Sequence, residues 1–137
     1  MESNDQLRWR QRLENYRKAC VQLENACGKK EYSDLERAGL VQIFEFSFEL
    51  ARKTLKDLLL YGGYDVTTPR EVLRRSFAAG YLGEADAETL LDALKKRNLL
   101  AHTYREELAQ SALTLIRERY FPALRRLLTR LETEARR

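Results

Sequence analysis

Residues that break or bend a backbone are scarce in this chain. Only 6 glycines and 2 prolines punctuate 137 residues. So few obligatory turns argue against a sheet of many hairpins and for long helices. Cysteine is nearly absent too. Cys20 and Cys27 lie seven apart on one expected helix, a rise of ~10.5 Å that no intrachain disulfide spans. They read as small core residues of a reducing compartment. There is one histidine, His102, and no C-x-x-C motif, so no zinc cluster or other metal site is expected, and no cofactor. No apolar run approaches membrane-spanning length. The first residues, Met1-Glu2-Ser3-Asn4-Asp5, are polar and do not form a signal peptide. A cytoplasmic protein without membrane association is expected. No internal repeat or low-complexity linker occurs.

What is present fits one folded domain over residues 1–137. Hydrophobic residues make up 44% and charged residues 34%, a globular balance rather than a disordered one. The length suffices for one real core and not for two. Net charge is +4 with a pI near 9.2. This permits binding to a polyanion without requiring it, since a solvated helical surface of mixed charge has the same composition.

The helical pattern can be followed along the chain. Trp9, Leu13, Tyr16, Cys20, Leu23 and Cys27 alternate four and three apart on a first helix from about Asp5, with Gly28 placed to end it. Ser33 and Glu36 form a capping box that opens a second helix, which should run to Tyr61 and stop at Gly62-Gly63. Val41, Phe44, Phe48, Ala51, Leu55 and Leu58 give its seam. Ile43, Leu50 and Leu59 widen it, and Phe46 adds apolar surface on another side. So broad a stripe means burial on more than one side, either within the bundle or against a second chain. Glu49 and Lys53 are spaced for an ion pair one turn apart.

Thr68-Pro69-Arg70-Glu71 starts a short basic helix that ends by Gly80, with Thr68 as cap and Glu71 closing the box. A fourth helix is expected from about Ala85 to Asn98, with Ala87, Leu90, Leu91 and Leu94 inward. A fifth runs from Tyr104 toward Arg136, with Leu108, Ala112, Leu115 and Arg119 on one face, kinked or restarted at Pro122. The fold class is therefore all-α: an antiparallel, up-and-down four-helix bundle with one extra short helix between the second and third long ones.

The stretch Arg97-Asn98-Leu99-Leu100-Ala101-His102-Thr103-Tyr104 gathers a fixed cation, a group that titrates near pH 7 and a phenol. That set suits phosphate chemistry. On one unbroken helix His102 would point ~140° away from Arg97. The groups converge only if the helix breaks between them. Thr103 and Glu106 offer a restart as a capping box. The reading is Arg97 at the end of one helix, a turn over Leu99 to His102, and a new helix from Tyr104. His102 then lies just outside a helix N-terminus, a natural anion site. The plainer alternative makes Arg97 a C-terminal cation, His102 a polar turn residue and Tyr104 a half-buried aromatic.

Arg97-x4-His102-x-Tyr104 matches the R-x4-H-x-Y motif of the HEPN superfamily. The chain resembles the small HEPN proteins called nucleotidyltransferase substrate-binding proteins, close to the HepT toxins of HEPN/MNT toxin–antitoxin pairs. Residues 42–50, Lys53 to Asp57, Pro69 to Val72 and Tyr120 to Leu124 resemble that family in the same order. The resemblance implies a homodimer whose two motifs share a cleft, acting as a metal-independent endoribonuclease on RNA. Arg97 and His102 would be catalytic, and Asn98 would orient the phosphate or the histidine. It also implies a cognate minimal nucleotidyltransferase, the antitoxin, that adds AMP to Tyr104. A second reading within the same family is a non-catalytic substrate-binding subunit of a two-component nucleotidyltransferase. A third is a helical dimer with no site at all.

Overall fold

The computed structural model of the protein describes residues 3–101 and 106–137. Among these residues every regular element is helical: α1 (Asn4–Cys27), α2 (Asp34–Tyr61), α3 (Pro69–Ala78), α4 (Glu84–Lys95), α5 (Arg97–Ala101), α6 (Glu106–Leu115), a π turn (Ile116–Tyr120) and α7 (Phe121–Ala135). Among the described residues no helix is long and apolar enough to cross a membrane.

Local chemistry sets most of the ends. Ser33 Oγ accepts from the Glu36 N–H at 3.1 Å and the Glu36 carboxylate accepts from the Ser33 N–H at 2.9 Å, so the expected capping box is complete. At the other end of α2, Gly63 adopts φ +95°, and the Tyr64 N–H reaches back to the Leu59 carbonyl at 2.8 Å. This is the Schellman closure that only glycine enters without strain. Thr68 Oγ1 accepts from the Glu71 N–H at 3.2 Å, with Pro69 at the head of α3. Only the threonine's half of that box forms. Gly28 ends α1 with φ −87°, so its backbone is not left-handed. Instead, the Tyr32 hydroxyl donates to the Ala26 carbonyl at 2.6 Å and ties off the last turn.

The helices pack antiparallel, as their cross-links show. Arg12 meets Asp57 at 3.1 Å, the Ser47 hydroxyl meets the Ala19 carbonyl at 3.4 Å, and Lys29 meets Glu36: α1 rises as α2 falls. α7 runs against α1 through Glu24–Arg125 at 3.4 Å, with Arg117 on the Cys27 carbonyl at 3.0 Å. The Tyr16 hydroxyl, fully buried, donates to the Leu124 carbonyl at 2.5 Å. One continuous apolar core holds Trp9, Tyr16, Leu23, Phe44, Leu55, Leu90, Ile116, Tyr120, Leu124 and Leu131. Both cysteines are free, Cys20 buried and Cys27 half-buried, and burial pushes both thiols up to about 11.

Three expectations are corrected. α4 ends at Lys95 rather than near Asn98. Its inner face is Ala87, Leu90 and Ala93, with Leu91 and Leu94 half-buried. Glu49 pairs with Arg52 rather than Lys53, because the guanidinium fork engages both carboxylate oxygens. The last helix turns inward along Ala109, Ala112, Leu113, Ile116 and Tyr120, while Arg119 stays exposed. Pro122 stands in the first turn of a helix that restarts at Phe121, as its missing N–H requires. The chain widens into one π turn before it, and the Phe121 N–H bonds to the Ile116 carbonyl. A wider turn makes room for the ring that would strike the Glu118 carbonyl.

Candidate functional site

The Arg97 stretch is held from beneath by a polar knot on α4. The Asp92 carboxylate accepts from the Tyr120 hydroxyl at 2.7 Å and takes Lys96 at 3.3 Å and Arg119 at 3.5 Å. Burial raises the Asp92 carboxyl, but the hydroxyl and the two cations outweigh it and hold it below its ordinary value. The same contacts raise Tyr120, burial first and the carboxylate next, so this phenol stays protonated. Its ring stacks on Phe44 with centroids 5.4 Å apart. α2, α4 and the π turn are thereby locked together one turn below Arg97.

Above the knot, Lys96 interrupts the helix with φ −90° and ψ 6°. Arg97–Ala101 then forms its own single helical turn, α5. This corrects the expected turn over Leu99 to His102. The described break, at Lys96, precedes Arg97, and Leu99 to Ala101 are helical. The cause is tertiary: Leu100 is only 1% exposed, and seating it in the core rewinds the backbone, with the Leu100 N–H on the Lys96 carbonyl at 3.0 Å.

Arg97 and Asn98 are both exposed on this turn. Arg97 leans over α2, beside Phe44, Glu45, Phe48, Ala93 and Leu100. The crevice there leaves about 10 Å³ of free space, room for one water at most. Arg97 makes no ion pair among the described residues; its charge helps depress the Glu49 carboxyl, which Arg52 holds down first. His102, Tyr104, and the Thr103 half of the expected capping box lie outside the described residues, as does the expected start of the fifth helix. The structure therefore brings Arg97 and Asn98 to one exposed turn and does not describe their meeting with His102.

The Asp92–Tyr120 tie escaped the sequence reading, although Tyr120 belonged to a stretch singled out by resemblance. Its two residues lie 28 apart in the chain, and no local pattern links them. Among the described residues no three His, Cys, Asp or Glu side chains gather as metal ligands. A roomier groove of about 470 Å³ runs between the end of α1 and α6–α7. The arginine lining it, Arg117, is already committed to the Cys27 carbonyl.

A family model described as "Nucleotidyltransferase substrate binding protein like" matches residues 11–133. Among solved structures, a crystal structure from Thermus thermophilus superposes with a TM-score of 0.74 at 29% identity, over 89% of this chain and 99% of that one. A comparison with curated proteins finds no match.

Proposed function

The chain belongs to the nucleotidyltransferase substrate-binding-like family, and from that premise we propose that it is the RNA-directed, HEPN-type subunit of a two-component system. In this reading it is a metal-independent endoribonuclease that pairs with a cognate minimal nucleotidyltransferase. Two protomers bring their Arg97-x4-His102-x-Tyr104 motifs to one cleft. The observation that carries the reading is Arg97 itself. It is an exposed guanidinium at the head of its own helical turn, without an ion pair among the described residues, five residues before the only histidine.

The chemistry follows from the residue types. The His102 imidazole takes the proton of an RNA 2′-OH. The 2′-oxygen attacks the adjacent phosphorus, the P–O5′ bond breaks, and the 5′-oxygen leaves as a hydroxyl after taking up a proton. A 2′,3′-cyclic phosphate remains. Arg97 offsets the charge gained on the phosphoryl oxygens, and Asn98 orients the phosphate. AMP added to Tyr104 by the transferase would set a phosphate in the cleft and repel RNA.

The test is cleavage of RNA by the purified protein in excess EDTA, beside the His102→Ala variant, with both shown to be folded and of equal oligomeric state. Cleavage lost by at least ~100-fold in the variant is the expected result. The second reading, a non-catalytic subunit that presents substrate to the transferase, is favoured by the family description and by the small crevice beside Arg97. No cleavage by either protein, with a stable transferase complex, would replace the first reading by the second.

A further inference from the structure

The arginines of α7 are largely committed: Arg125 to Glu24, Arg126 to Asp86, Arg130 to Glu134. The opposite condition holds between α3 and α4. There Arg70, Arg74 and Lys95 line an open groove of about 300 Å³ with Glu88, Leu91 and Asp92. All three cations are exposed, and none makes an ion pair among the described residues. Asp92 contributes little negative charge to this groove, because Tyr120, Lys96 and Arg119 already hold it. Three uncommitted cations therefore face one uncommitted carboxylate, Glu88. Arg70 and Arg74 are successive neighbours on one helix face, ~5–6 Å apart.

We propose that the α3–α4 groove, lined by Arg70, Arg74 and Lys95, is a phosphate-backbone lane for single-stranded RNA. It rests on the reading of this chain as RNA-directed. Lys95 is the groove's cation on α4. It closes α4 two residues before Arg97, facing α3, while Arg97 leans toward α2. The turn that carries the motif is thus flanked by cations on both sides. The groove offers charge rather than a closed pocket, so it reads backbone and not bases. An open, mostly cationic surface with a single apolar side chain, Leu91, suits a polyanion better than a protein partner, whose core contacts would need more apolar area.

Binding is measured apart from cleavage by using a short fluorescein-labelled RNA with every ribose 2′-O-methylated, which leaves no 2′-OH to attack. Fluorescence anisotropy over a salt series compares the parent, Arg70→Ala/Arg74→Ala/Lys95→Ala, and a control of equal charge loss on α1 and the loop after it, Arg8→Ala/Lys18→Ala/Lys30→Ala. Each phosphate contact adds ~0.7 to the salt slope for single strands, so three add ~2. The groove variant should lose that much slope and bind ~100-fold more weakly at 0.1 M salt, relative to a 1 M reference. The control should change by less than ~3-fold. The lane is overturned if the parent does not bind this RNA, if the groove variant binds like the parent, or if the control falls equally. Loss of the transferase complex with RNA binding intact would assign the groove to protein docking instead, and also overturns it. A parent that binds methylated RNA but leaves unmodified RNA uncut removes the nuclease reading alone.

Discussion

Gly39 lies in the interior of α2, half exposed, and a Cβ built there would meet nothing within 4 Å. Glycine in a helix interior costs about 1 kcal/mol relative to alanine through backbone entropy. Nothing described around it offsets that cost. Gly39→Ala should therefore raise stability by about 1 kcal/mol in urea unfolding. No gain would mean that another molecule occupies that space in solution. At the same scale, Tyr120 carries more than its ring. Tyr120→Phe keeps the stack on Phe44 and removes the hydroxyl from Asp92. The expected loss is about 1–2 kcal/mol by denaturant titration. A loss below ~0.3 kcal/mol would show that Lys96 and Arg119 satisfy Asp92 alone.

The elements differ in how much of them is local. The start of α2 was legible because Ser33 and Glu36 are three residues apart and their bonds stay within one turn. Gly62-Gly63 and Gly80 marked the ends of α2 and α3 for the same reason, as sites where the backbone goes left-handed or must stop. The end of α4 was not legible. Basic residues at Lys95 to Arg97 suit any helix C-terminus, and what decides the break is Leu100 seating itself in a core assembled from distant helices. Pro122 announced a restart, but not the π turn that precedes it, whose ends Ile116 and Tyr120 are both buried. Of the candidate site, Arg97 and Asn98 were picked out by residue type and motif, while the Asp92–Tyr120 tie beneath them joins distant positions and could not be read from spacing.

The capping box of α2 carries a pH dependence that belongs to this scale. The Lys29 ammonium, then the Ser33 bonds, hold the Glu36 carboxyl at about 2, below the ordinary 4.5. A carboxyl held low in the folded state stabilises above its unfolded value, and the gain is lost as pH falls through the folded one. The window is therefore from about 4.5 down to 2. Glu36→Gln keeps the cap geometry and removes the charge, so its Tm should fall less steeply than the parent's across that window. Added salt should shrink the difference, because the pair with Lys29 is exposed. Parallel Tm–pH curves for the two proteins would contradict this assignment.

At the scale of the whole molecule, one core touches every long helix, and α1, α2, α4 and α7 all contribute fully buried side chains to it. With one core among the described residues, thermal unfolding should be a single transition whose calorimetric and van't Hoff enthalpies agree. A resolved shoulder in calorimetry would mean that α3–α4 melts on its own. Charge, by contrast, is distributed unevenly over this one body. The α7 arginines are neutralised by partners and the α3–α4 cations are not, so the modest net +4 understates the local field at the groove.

The lone tryptophan gives this protein an optical property that follows from its place in α1. Trp9 is 2% exposed and sits three residues before Arg12, level with Asp57 on α2. Glu45, beside Arg97, is twelve residues away along the same helix, ~18 Å at the helical rise. Intrinsic emission excited at the red edge thus reports the far end of the bundle and none of the Arg97 turn. A blue, unchanged spectrum in an Arg97 or His102 variant shows that the Trp9 end of the bundle is intact, so that any change such a variant brings is confined to the other end.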